Sequence, residues 1–140
     1  MCLKTEELNM KYDCVKKKYI GIGYKSCNTY DNGKTVAVRF DTRLKIGVWY
    51  DALKVQNKIM LKDNEAELTR ISSHDSLKYP AGFHIFLNPK HAQTYGFKYV
   101  PVWLVEYCDV IGLGKNKYNQ GNNSGPCVIA HQMRIVGKIN

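Results

Sequence analysis

The run Val100-Pro101-Val102-Trp103-Leu104-Val105-Glu106-Tyr107-Cys108-Asp109-Val110-Ile111 decides the fold. Val100, Val102 and Leu104 alternate with Trp103, Val105 and Tyr107, which is the two-residue period of a β-strand. Both sets are apolar, so the strand is expected to lie centrally, covered on both faces. The glycine- and asparagine-rich stretch from Gly112 to Pro126 follows and reads as a loop. Cys127 to Val136 then returns as a last strand that pairs with the long one.

Upstream, Gly82-Phe83-His84-Ile85-Phe86-Leu87 reads as a strand closed by Asn88-Pro89, an N-cap with proline at the first helical position. A short helix from Pro89 to about Tyr95 stops at Gly96. Tyr19 to Lys25 forms an earlier strand in which Gly21 and Gly23 mark a bend or a close approach. Tyr30-Asp31-Asn32-Gly33 is a hairpin turn, since Asn-Gly supplies positive φ, and Thr35 to Phe40 is the strand after it. Ile46 to Tyr50 is a further short strand. Residues 51–78 carry a mixed pattern. The polar opening through Lys16-Lys17-Lys18 is expected to lie across the surface before the first strand. At least five strands with one or two short helices predict an α+β, β-rich antiparallel domain. A doubly wound parallel sheet is excluded by the missing strand–helix alternation.

The 140 residues suit one domain, 1–140, with no linker or repeat to divide it. No apolar run approaches the ~20 residues that span a bilayer, and no signal-peptide core follows Met1. The five cysteines are odd in number and include no C-x-x-C pair, so buried reduced thiols and a cytoplasmic setting are expected, with no metal site. Twenty-one Lys and Arg against twelve Asp and Glu give a net charge of +9, which favours a polyanionic or phosphorylated partner.

Phosphate-binding motifs fail on inspection. Gly112-Leu113-Gly114-Lys115-Asn116 lacks the first glycine of a P-loop, where Asp109 stands, and its Ser or Thr, where Asn116 stands. Gly21-Ile22-Gly23 lacks the third glycine of a dinucleotide fingerprint, where Ser26 stands. The histidines (His74, His84, His91, His131) show no ligand pair, and only His74-Asp75-Ser76 fits a two-histidine phosphoesterase motif. Glu106 and Asp109 do not form an acid/base pair, and no nucleophile is visibly activated. Among four arginines, Arg134 lies beside core residues in the last strand, where a guanidinium fork could grip a phosphate or simply snorkel. Ten tyrosines and two tryptophans suit stacking on bases.

The early Gly23-Tyr24-Lys25, the Gly82-to-Phe86 motif, the helix at Ala92, the long apolar strand and the closing Val128-Ile129-Ala130-x-x-Met133 together resemble one family. It is the first-described family of phage Thoeris anti-defence sponges. The resemblance runs from Tyr19 onward, and the Gly-Phe-His-Ile-Phe motif is its most specific part. It implies a viral, non-enzymatic protein acting in the cytoplasm of an infected bacterium. It further implies a homo-oligomer that sequesters cyclic ADP-ribose signals, and cyclic oligonucleotides at separate sites, with no cofactor. The positions that match the family's pocket are Tyr107 or Trp103, Asn116 and Arg134; Phe83 and His84, adjacent in the strand, complete the candidate ligand-binding set. Two other readings stay open, a basic nucleic-acid-binding module and a small enzyme acting on ADP-ribose or NAD.

Overall fold

The computed structural model describes residues 10–37, 43–55, 61–62, 65–69, 76–80, 82–95, 100–115 and 126–139. In chain order these form β1 (Lys11–Asp13), β2 (Lys18–Ser26), β3 (Asn28–Tyr30), β4 (Thr35–Ala37), β5 (Arg43–Lys45) and β6 (Trp49–Asp51). Then follow α1 (Ala52–Val55), β7 (Leu61–Lys62), β8 (Glu65–Thr69), β9 (Ser76–Pro80), β10 (Phe83–Phe86), α2 (Pro89–Tyr95), β11 (Val102–Lys115) and β12 (Pro126–Ile139). The fold is α+β and mostly β, with antiparallel pairing throughout.

The β11–β12 hairpin is the spine, running from Val102↔Ile139 to Lys115↔Pro126 with two register shifts. β2 lies along β11, from Val102↔Ser26 to Tyr107↔Gly21. β10 lies along β12, from Phe83↔Ala130 to Phe86↔Cys127. A last bridge, Phe86↔Tyr24, joins β10 to β2 and closes the four strands into a ring. β11 is therefore central, as its two apolar faces predict.

Closure sets the spacing inside. Phe83, Ile85, Val105, Tyr107, Val128, Met133 and Ile135 all point inward and are buried. Gly21 and Gly23 leave the room their side chains need: a Cβ on Gly21 would stand 2.6 Å from the Tyr107 hydroxyl, and one on Gly23 would stand 2.9 Å from the Phe86 carbonyl. The small sheet β3–β4–β5 plugs one end through Cys27 beside it, Val36 and Leu44, together with Ala52 of α1. Its β3–β4 turn is the predicted one, with Asn32 at φ 57 and Gly33 at φ 85. On the outer side, Ala92 of α2 covers Phe86, Val102 and Cys127. Asn88 Oδ1 accepts the Lys90 N–H at 2.9 Å, which caps α2 as its sequence predicts. A separate three-stranded sheet, β7–β8–β9, occupies part of the stretch whose pattern was mixed.

Three expectations need correction. The opening segment contains a strand, because Lys11↔Ile20 to Asp13↔Lys18 pair as a hairpin. Residues Gly112–Lys115 are not loop but the outer end of β11, held by Ile129 to Pro126 across the ladder; the rest of that expected loop lies outside the described residues. The strand at Ile46–Tyr50 starts late, since Gly47 turns at φ 87 and β6 begins only at Trp49. No helix among the described residues is long and apolar enough to cross a membrane.

Candidate functional site: a cation cluster on the outer sheet face

Cross-strand partners share a face, and three registers line up one row on the outside of the ring. Ile22 of β2 faces Glu106 of β11, Glu106 faces Arg134 of β12, and Arg134 faces Trp49 of β6. Arg134 bonds to a single carboxylate oxygen, Glu106 Oε1, through Nε at 2.8 Å and through Nη2. Its guanidinium carbon also lies 5.4 Å from the centre of the Trp49 ring.

A second cation arrives on that ring from the β1–β2 turn. Asp13 Oδ1 accepts the N–H groups of Val15 and Lys16, each at 2.9 Å, and the Asp13 carbonyl accepts Lys17 N–H at 2.7 Å. With Lys17 at φ 59, the turn presents Lys16 so that its Nζ sits 4.1 Å from the Trp49 ring centre. The indole face attracts each cation by about 0.5–1 kcal/mol at an exposed site. Two cations thus share one ring against one carboxylate. Arg134 spends its Nε edge on Glu106, and among the described residues its Nη1 nitrogen has no partner. An anion approaching the face would find that nitrogen and the Lys16 ammonium on a half-exposed surface.

Comparison with family models, curated proteins and solved structures finds no match.

The six residues singled out in the sequence fall into three groups. Phe83, Trp103 and Tyr107 are core: each is at most 4% exposed, so they pack rather than present a stacking face. Trp103 Nε1 donates to the Cys27 carbonyl at 3.2 Å, tying β11 to the plug. Tyr107 lies over Gly21 and Gly23, with burial pushing its hydroxyl up to about 12. His84 and Arg134 are on the outer side but at different places along β12, His84 opposite Ile129. The His84 carbonyl accepts Lys25 Nζ at 2.7 Å. Asn116 lies outside the described residues. Arg134 alone enters the cluster.

Lys16 and Trp49 are the residues that sequence reading missed. The lysine run was visible, but only the hairpin fold-back of β1 carries it to β6. Glu106 and Asp109 each have their own cation: Arg134 for Glu106 and Lys18, at 2.6 Å, for Asp109. That pairing raises the Lys18 ammonium above its usual range, the hydrogen bond it donates to Asp109 being the main cause. Burial pushes the Cys27 and Cys127 thiols up to about 11. Among the described residues no group of three His, Cys, Asp or Glu is placed to hold a metal ion.

Proposed function

We propose that the protein binds a phosphate-bearing nucleotide on the outer sheet face and holds it without cleaving it. The observation that carries this reading is the gathering of Lys16 and Arg134 on the Trp49 ring, in a chain of net charge +9. Phosphate gains about 1.5–3 kcal/mol from each charge-assisted hydrogen bond, and Arg134 Nη1 and the Lys16 ammonium can each donate one. In line with the resemblance to the Thoeris anti-defence sponges, the proposed ligand is of the cyclic ADP-ribose class, bound by a homo-oligomer in the host cytoplasm.

The test is to incubate the protein with cyclic ADP-ribose isomers, remove unbound ligand, denature by heat and identify what is released. Intact nucleotide supports the reading; cleaved product, or none, overturns it. Arg134→Ala should weaken binding about tenfold. Glu106→Gln should tighten it, because the carboxylate that competes for the guanidinium is removed. If Glu106→Gln weakens binding as much as Arg134→Ala does, the pair is structural and the phosphate site lies elsewhere. Binding of any oligonucleotide with a steep salt dependence, and no preference for the cyclic compound, would point to a nucleic-acid module instead.

A further inference from the structure

Beyond the rim of the closed ring, the β1–β2 hairpin and the outer half of β11 stand apart and leave an open groove of about 570 Å3. Met10 and Tyr19 form one wall, Val110, Ile111 and Leu113 the other. The backbone of β11 is bent there. Asp109 adopts φ 57, and the register with β12 slips between Val110 and Gly112. Such bulges re-aim side chains, and backbone strain of this kind collects at ligand sites. At the rim the Lys18 ammonium meets the Asp109 carboxylate at 2.6 Å.

The chemistry of this groove differs from that of the cation cluster. Among the described residues that line it, Lys18 is matched by Asp109, so these two offer no net charge to a phosphate. Its walls are aliphatic and aromatic: Tyr19 is 61% exposed, with its ring set edge-to-face on Tyr12, at 5.2 Å between ring centres and 77° between planes. That arrangement fixes the Tyr19 ring while leaving it open to a ligand. Met10 adds an adaptable, polarisable contact for a flat ring. At the rim stand one donor, Lys18 Nζ, and one acceptor, the Asp109 carboxylate, side by side. A volume of this order is that of a small-molecule site, for which about 300–1,000 Å3 is usual.

We propose that this groove binds a neutral planar heterocycle of the nucleobase or nucleoside class. The ring slides between Tyr19 and the Val110–Leu113 wall, and its donor–acceptor edge meets Asp109 and Lys18. The inference deepens the nucleotide-binding reading, since it supplies a place for the base that the cation cluster lacks. It is testable separately because a nucleoside carries no phosphate.

The experiment follows methyl resonances of the full chain during titration with adenosine, inorganic phosphate and cyclohexanol. Adenosine should move the signals of Met10, Val110, Ile111 and Leu113, while phosphate leaves them still. Tyr19→Ala, at an exposed position that the core does not need, should weaken adenosine at least fivefold with the remaining methyl spectrum unchanged. The inference is overturned if adenosine leaves the groove methyls unmoved, if Tyr19→Ala binds as wild type does, or if cyclohexanol binds as tightly as adenosine. Adenosine binding without any phosphorylated nucleotide binding would remove the reading of function and leave the groove standing. The converse result would remove the groove alone.

Discussion

Replacing Gly21 by alanine adds one methyl group where Tyr107 packs against the backbone of β2. An ideal Cβ there would lie 2.6 Å from Tyr107 Oη and 2.7 Å from Cε2, against 3.4–4 Å for ordinary contact. Tyr107 is fully buried between β2 and the inward residues of β11 and β12, so the ring has nowhere to retreat. Overpacking of this kind costs about 1–3 kcal/mol, which for a chain of this size lowers the melting temperature by roughly 4–10 °C. The three nearest atoms at Gly21 all belong to Tyr107, so the cost should be relieved when that side chain is shortened. In a double-mutant cycle with Tyr107→Leu, the loss from Gly21→Ala should shrink by about 1–2 kcal/mol. Gly137→Ala is the control, since nothing lies within 4 Å of a Cβ there, and its effect should stay within about 0.5 kcal/mol. Thermal and urea denaturation followed by circular dichroism measure all five proteins, wild type included. A Gly21→Ala protein as stable as wild type, or strictly additive effects in the cycle, would refute the packing of Tyr107 on β2.

Three further outcomes are expected. The Tyr107 hydroxyl is buried with no hydrogen-bond partner among the described residues, so Tyr107→Phe should leave stability unchanged or raise it by about 1 kcal/mol; a clear loss in urea unfolding would show that the hydroxyl is satisfied. Cys27 and Cys127 hold their protons to about pH 11, above the ordinary 9.0, so above pH 9 the unfolded chain releases protons that the folded one keeps. Stability should be flat up to pH 9 and then fall, by at most about 1.4 kcal/mol per pH unit for each thiol. Urea midpoints at pH 8 and pH 10 test this, and Cys27→Ala/Cys127→Ala should show a smaller drop. Asp109→Val places a β-branched residue at φ 57 and should cost about 1–3 kcal/mol, whereas Asp109→Gly should cost less; equal melting temperatures for the two would remove strain as the explanation.

The β11 strand was legible because its alternation is strong and its neighbours are short and punctuated. Asn32-Gly33 and Asn88-Pro89 announced a turn and a cap through their own backbone chemistry, with no need of distant contacts. The candidate site was not legible in the same way. Parity along β12 shows why: Val128 and Ala130 point inward, yet so do Met133 and Ile135, so the alternation slips by one residue between them. Counting from Ala130 puts Arg134 on the same face as Ala130, whereas in the structure it points outward to Glu106 and Trp49. Trp103 and Tyr107 looked like stacking faces because aromatic content says nothing of burial. Trp49 meets Lys16 through the pairing of β2 with β11 and of β12 with β6, strands far apart in the chain, which no local pattern encodes.

The ring of strands is joined by unequal seams. β11 and β12 hold each other along their whole length, whereas β10 and β2 share one ladder pair, Phe86 and Tyr24, and the Lys25–His84 hydrogen bond. Opening costs least where the fewest hydrogen bonds must break. The seam between β10 and β2 is therefore expected to open first, with β10 staying on β12 through its four ladder pairs. Amides that face this seam should exchange with solvent water well before those inside the β11–β12 ladder. The gap would uncover Gly23 and the Tyr107 ring first, giving water its shortest route to the middle of the core.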